Sequence, residues 1–186
     1  MRSVRIQQHG EPHQHISTWV GVYCAATPGL RAADNGTYRM DIDNEPQPDV
    51  AVWSDQALGG RAYVNADDYL GGTPELLIEV AASSAAYDLH EKKQAYRRNG
   101  IQEYLILQVY EQATTWYCWQ DGDYREIAPN DQGIVCSTNF PGLWLDPAKF
   151  WAGDLAGVLA QLQEGLATAE HNAFVAELRQ RAQSAT

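Results

Sequence analysis

The chain has 186 residues, of which 45% are hydrophobic and 20% are charged, and it includes six tryptophans and ten tyrosines. This length and composition predict one folded domain with a sizeable core and exclude disorder for most of the chain. The formal net charge is −11. That charge argues against tight nonspecific binding of nucleic acid, because proteins that hold polyanions normally carry a basic face.

The cysteines and the apolar stretches indicate the compartment. Cys24, Cys118 and Cys136 are isolated and odd in number, which predicts reduced, buried thiols in a cytoplasmic protein. The N-terminal segment lacks the apolar core of a signal peptide, and no run of about 18 apolar residues occurs. Neither export nor a membrane span is therefore expected.

The first quarter of the chain predicts one helix followed by an irregular region. Residues 27–45 are rich in Gly, Asn, Asp and Pro, and we expect a loop there with one weak strand near 38–42. After two prolines, residues 49–53 predict a strand, and paired glycines then bracket an expected loop over 59–72. Apolar residues at helical spacing predict a helix over 13–24, namely Ile16, Trp19, Val20 and Tyr23.

The middle of the chain predicts a βαβ unit. Residues 76–80, in a strand predicted over 75–80, form an apolar run interrupted only by Glu79, which is typical of a strand covered on both faces. A helix is expected to begin at Ser83 or Ser84, and residues 103–109 predict the next strand. Two strands joined by a helix run parallel, with a right-handed crossover.

The last third predicts hairpins and then a helix. Strands over 114–120 and 124–127 flank the tight-turn pair Asp121-Gly122. A final helix is expected from Asp154 to about residue 183, interrupted near Gly165. The predicted organisation is an α/β domain over residues 1–153, with residues 154–186 as a C-terminal helical extension of the same domain.

Glu79 is the strongest candidate for a functional residue. A carboxylate in a doubly covered strand is costly unless it is paired, hydrogen-bonded or bound to a metal. A functional site satisfies this requirement, and so does a wet edge or a structural ion pair with Lys92 or an arginine. The residues alone leave these alternatives open.

Asp49 and Lys92 complete a possible hydrolytic site. Asp49 follows a proline, a pattern that is also common in simple turns. Lys92 lies on the expected helix four residues from both Asp88 and Tyr96, and an ordinary Asp88–Lys92 ion pair is an equally simple explanation. Together, two carboxylates and a lysine suit phosphodiester hydrolysis, in which carboxylates hold a hard cation and an ammonium orients water or stabilises negative charge.

A set of linked motifs surrounds these three residues and continues toward the C-terminus. The motifs are EPQPDV (45–50), YLGGTPEL (69–76), IEVAASSAAYDLH (78–90), YRRNG (96–100), EY (103–104), FPGLWL (140–145) and EHNAF (170–174). Over residues 13–178 this pattern resembles the Uma family, whose members are described as putative restriction endonucleases.

The resemblance implies a branch of the PD-(D/E)XK nuclease superfamily. It implies a restriction-endonuclease-like α/β fold, with a central mixed sheet flanked by helices and a C-terminal helix. Asp49 matches the first metal-binding acid, Glu79 matches the second, and Lys92 matches a lysine carried on the following helix. Many superfamily members instead place that lysine where this chain has Ala81. The implied activity is Mg²⁺- or Mn²⁺-dependent hydrolysis of DNA by a homodimer with these three catalytic residues.

Four further residues near this site have open roles. Glu11 is a candidate for an acidic residue that many relatives carry on a longer N-terminus. His13, in an HxxI pattern, is either a site residue or an ordinary histidine at a helix start. Asp88 and His90 accompany Lys92 on the expected helix.

Two other classes of function fit the sequence. The first is a non-catalytic fold-mate that acts through protein–protein interaction, which would suit the acidic charge and the aromatic-rich hairpin around residues 116–119. The second is a hydrolase of small molecules that uses the same metal site, since no base-reading element is visible.

Overall fold

The structure is a computed structural model that describes residues 6–41, 45–82 and 88–184, apart from the side chains of Gln8 and Asp88. The strands are β1 Leu30–Asp34, β2 Tyr38–Arg39, β3 Val50–Ser54, β4 Arg61–Val64, β5 Leu70–Thr73, β6 Leu76–Ala81, β7 Glu103–Gln108, β8 Ala113–Gln120, β9 Asp123–Glu126, β10 Val135–Cys136 and β11 Trp144–Leu145. The α-helices are α1 Glu11–Ala26, α2 Lys93–Arg98, α3 Pro147–Trp151, α4 Leu155–Leu166 and α5 Ala169–Ser184. Short helical turns occupy Ile6–Gly10, Gln56–Leu58 and Asp88–Lys92.

A six-stranded mixed sheet forms the centre, in the order β1-β3-β6-β7-β8-β9. The strands β6 and β7 run parallel, and the other neighbouring pairs of this sheet are antiparallel. The parallel pair confirms the predicted βαβ unit. The predicted helix start at Ser83 or Ser84 lies outside the described residues, which resume at Asp88.

Apolar side chains cover this sheet on both faces. On one face, α1 and α4 pack against alternate residues of the central strands, including Ile78 and Leu105. On the opposite face, Tyr96 of α2 and the small sheet β2-β5-β4 cover Leu77 and Ile106. Coverage of both faces explains why β6 and β7 are nearly continuous apolar runs. The predicted α/β class, with a mixed sheet flanked by helices, is confirmed.

Two predicted loops contain strands. The weak strand expected near 38–42 is present as β2, but residues 27–45 also contain β1, which pairs antiparallel with β3, and residues 59–72 contain the hairpin β4-β5. In β1 the side chain of Leu30 is buried and the other four residues are exposed. Such an edge strand has almost no apolar alternation, and hydrogen bonds to its neighbour, rather than its own sequence, specify it.

The C-terminal predictions were close to the structure. Asp121 and Gly122 have φ angles of 53° and 87°, as a tight hairpin turn between β8 and β9 requires. The final helical segment is broken between α4 and α5, and the Asp154 carboxylate caps α4 by accepting the Gly157 N–H at 2.8 Å. The domain division after residue 153 stays a prediction.

The cysteines differ from expectation in burial. Cys24, Cys118 and Cys136 are free thiols, but each is half-buried rather than buried. Within the part of the chain that the structure describes, no helix is long and apolar enough to cross a membrane.

Candidate functional site

Asp49 and Glu79 lie side by side on neighbouring strands. The register of β3 and β6 pairs Val50 with Ile78, and one further step along this antiparallel register places Asp49 opposite Glu79. Both acids fall on the face of the sheet that α2 covers, because side chains alternate along each strand. Asp49 is 8% exposed and Glu79 is 4% exposed.

The Glu79 carboxylate contacts two side chains from the helical segment that follows β6. The Tyr96 hydroxyl donates a hydrogen bond to Oε1 at 2.9 Å, and Lys92 Nζ lies 2.9 Å from Oε2. Lys92 and Tyr96 are four residues apart, so both reach the same side of the helix, as the sequence predicted. Tyr96 is fully buried, whereas the Lys92 side chain is 20% exposed. Lys92 therefore contacts a buried carboxylate while part of its own side chain is accessible to solvent.

The Asp49 carboxylate is held by its neighbour strand and by a histidine. Oδ2 accepts the backbone N–H of Val80 at 2.7 Å, and Oδ1 lies 3.3 Å from Nε2 of His9. The other ring nitrogen of His9, Nδ1, lies 3.2 Å from the Val80 carbonyl oxygen. Val80 thus positions both the carboxylate and the imidazole.

The other four candidates occupy different places. His13 Nε2 donates to the backbone carbonyl of Asp49 at 3.1 Å and does not reach its carboxylate. Glu11 lines a cleft of about 400 Å³ beside Tyr110 and Trp151. His90 lines a separate cleft of about 330 Å³, and the side chain of Asp88 lies outside the described residues.

Sequence reasoning missed His9 as a neighbour of Asp49. The histidine belongs to the helical turn Ile6–Gly10, directly before α1, in a segment that gave no apolar periodicity. Its ring stacks on that of His13, with centroids 5.6 Å apart and planes 6° from parallel. The spacing of the two histidines by one helical turn was the available signal.

Glu103 is a second buried acid whose place was also missed. It opens β7 on the opposite face of the sheet and is fully buried. Its oxygens accept hydrogen bonds from the indole N–H of Trp116 and from the backbone N–H groups of Thr138 and Asn139. Burial raises the pKa of Glu103, and hydrogen bonds from Thr138, Asn139 and Ser137 partly oppose that rise. Trp116, predicted as part of an aromatic interaction surface, belongs to the core.

The two site carboxylates suit a hard divalent cation. Mg²⁺ is usually bound by one or two carboxylates, with water and substrate oxygens as the remaining ligands. Asp49 and Glu79 offer such a pair, close together and at the edge of solvent access. Among the described residues, no three His, Cys, Asp or Glu side chains already converge as a metal cluster. The remaining ligands would therefore come from outside this pair.

The fold is similar to that of a solved structure. It is similar to the crystal structure of a putative nuclease belonging to DUF820 from Anabaena variabilis, with a TM-score of 0.59 and 13% sequence identity over 82% of this chain and 83% of that chain. The profile of the Uma2 family, described as "Putative restriction endonuclease", matches residues 1–148. The chain therefore belongs to the Uma2 family. A search among curated proteins gives no significant match.

Proposed function

We propose that this protein is a Mg²⁺- or Mn²⁺-dependent endonuclease that hydrolyses DNA phosphodiester bonds. The observation that carries the proposal is the side-by-side position of Asp49 and Glu79, with Lys92 at 2.9 Å from the second acid. Family membership supports a nuclease. The three residues supply the groups that phosphodiester hydrolysis needs: ligands for a cation, and a nearby positive charge.

Asp49 and Glu79 would hold the cation, which supplies charge stabilisation to the phosphoryl oxygens. The Val80 N–H and the Tyr96 hydroxyl fix one oxygen of each carboxylate. Fixing these oxygens reduces the reorganisation that binding costs. Lys92 would orient the attacking water or stabilise negative charge on the phosphate with its ammonium group.

The distribution of charge reconciles an acidic protein with a polyanionic substrate. Four of the 13 lysines and arginines lie between positions 92 and 98, on the helical segment that carries Lys92. Lys93 lies over the ring of Tyr117 at 3.7 Å, and Arg97 pairs with Asp123 at 3.1 Å. Lys92 thus reaches Glu79 on β6, whereas Lys93 and Arg97 reach β8 and β9. This basic stretch of the chain would provide phosphate contacts that the net charge does not reveal.

Cleavage assays on supercoiled plasmid, linear duplex and single-stranded DNA, each with Mg²⁺ and with Mn²⁺, test the proposal. We expect metal-dependent cleavage that is lost in Asp49→Asn and in Lys92→Met. Lys149→Met is the matched control, because it removes a lysine whose ammonium group lies 3.2 Å from Asp146. DNA left unchanged under every condition, or equal losses in the two lysine variants, would contradict the proposal.

The alternative of a non-catalytic protein that acts through protein–protein interaction makes the opposite prediction. It treats the Lys92–Glu79 pair as structural, so Lys92→Met would lower the midpoint of thermal unfolding without any nuclease activity to lose.

The homodimer also stays a prediction. A single species at monomer mass in light scattering would remove it.

A further inference from the structure

The contact between His9 and Asp49 poses a problem of hydrogen-bond chemistry. A backbone carbonyl only accepts, so the 3.2 Å contact of Nδ1 with the Val80 oxygen places the proton of a neutral imidazole on Nδ1. Nε2 then presents a lone pair to the Asp49 carboxylate at 3.3 Å. In this neutral form two acceptors face each other, and the contact becomes favourable when a second proton or a metal ion lies between them.

The separation of these two atoms suits a shared metal ion. Two ligands bonded at about 2.1 Å to one ion lie about 3.0 Å apart at a right angle and about 3.4 Å apart at the tetrahedral angle. The observed 3.3 Å between Nε2 of His9 and Oδ1 of Asp49 falls between these values. The two groups can therefore bind one ion without a large movement.

Four contacts fix the pair in this orientation. Val80 uses its carbonyl to hold the His9 ring and its N–H to hold Asp49 Oδ2. The His13 ring stacks on the His9 ring, and His13 Nε2 donates a hydrogen bond to the backbone carbonyl of Asp49. A hydrogen bond from the far ring nitrogen to a carbonyl is the usual support of a metal-binding histidine, because it fixes the tautomer and the ring direction.

We infer that His9 is a nitrogen ligand of the divalent ion held at Asp49, and that it makes this site prefer first-row transition ions such as Mn²⁺ to Mg²⁺. The inference rests on the proposed function for the presence of an ion, and it adds the ligand and the metal preference. Imidazole nitrogen favours transition ions, whereas Mg²⁺ prefers oxygen. His9 is thus a metal-selectivity residue of the Asp49 site.

Calorimetric titration of the full chain with Mn²⁺ and with Mg²⁺, in wild type, His9→Gln and His15→Gln, tests the inference. Glutamine at position 9 keeps a donor for the Val80 carbonyl but lacks the imidazole nitrogen. We expect His9→Gln to weaken Mn²⁺ binding about 10-fold or more while Mg²⁺ binding changes little. His15→Gln, which changes a histidine of α1 that packs on Phe150 and does not take part in these contacts, should leave both affinities near wild type. Equal effects on both metals, or no effect of His9→Gln, would overturn the inference.

Pulsed electron paramagnetic resonance of bound Mn²⁺ gives a readout that does not depend on activity. Wild type should show the modulation from a coordinated imidazole nitrogen, and His9→Gln should lose it. Absence of Mn²⁺ binding or of this modulation in wild type would overturn the inference, even if the protein cleaves DNA. Nitrogen modulation without DNA cleavage would support the inference and contradict the proposed nuclease. Thermal unfolding monitors whether each variant is folded.

Discussion

Glu79 and Glu103 are two buried carboxylates on adjacent parallel strands, yet their surroundings differ in kind. Glu79 on β6 contacts the side chains of Lys92 and Tyr96, and the lysine reaches solvent. Glu103 on β7 is enclosed by donors from Trp116 and the following turn at 137–139. One acid faces a partly exposed cation and a second acid, whereas the other is satisfied by neutral donors. Burial alone therefore does not identify a site, and the partners of the carboxylate do.

The largest expected effect is that of Glu79→Gln on DNA cleavage. The amide keeps the shape and the acceptor for Tyr96 but removes the negative charge that would bind the cation. We expect a loss of activity of about 10³-fold, equivalent to about 4 kcal/mol of transition-state stabilisation. Initial rates on plasmid DNA measure it. Cleavage within a few-fold of wild type would show that Glu79 is as structural as Glu103.

Glu103→Gln should have the opposite effect to Glu79→Gln: it should lower stability and leave cleavage unchanged. In Glu103→Gln the amide group must face either the Trp116 N–H or the backbone donors of Thr138 and Asn139, so a donor meets a donor. We expect a loss of about 2 kcal/mol in the free energy of unfolding, with the cleavage rate of the folded protein unchanged. Urea unfolding and the plasmid assay, run on the same preparation, check both halves. A selective loss of cleavage would contradict this assignment.

A smaller effect is expected from Tyr96→Phe. This change removes the hydroxyl that fixes Glu79 Oε1 and leaves the buried ring in place. We expect a reduction in cleavage of about 10-fold, through poorer positioning of the carboxylate. Tyr124→Phe is the matched control, since its hydroxyl donates to the Ile101 carbonyl on the same side of the sheet. Equal losses of cleavage in both variants would indicate a general effect on packing.

The smallest effect is a pH dependence that comes from Glu103. Its pKa is raised above the ordinary value of 4.5 by burial, so the folded protein retains this proton to a higher pH than the unfolded chain does. The contribution of Glu103 to stability is therefore full below the ordinary pKa and is lost as pH rises through the folded pKa. The stability difference between wild type and Glu103→Gln, from urea unfolding at about pH 4 and about pH 7, should fall with pH. A rising difference would contradict the raised pKa.

The sequence predicted the parts of the molecule in which local pattern and tertiary role agree. The apolar run containing Glu79, the helical spacing of Lys92 and Tyr96, and the Asp121-Gly122 turn each encode their structure locally. The proximity of Asp49 to Glu79 came from a family resemblance, because no local pattern encodes the register of β3 and β6. The edge strand β1 escaped prediction because its partner, and not its own residues, determines it.

The roles of His9 and Glu103 also could not be predicted from the sequence. Contacts between residues far apart in the sequence decide their roles: His9 meets Asp49 and Val80, and Glu103 meets Thr138 and Asn139. Residue type and spacing do not distinguish a carboxylate bound by neutral donors from one placed beside a second acid. Only the folded arrangement makes that distinction.

A crystal structure of the protein soaked in Mn²⁺, with anomalous diffraction, tests the central claim most directly. The account predicts one anomalous peak at about 2.2 Å from carboxylate oxygens of both Asp49 and Glu79, and no peak at Glu103. A saturating soak that leaves this position without an ion, or that places the ion at one of the two acids alone, would contradict a shared metal site.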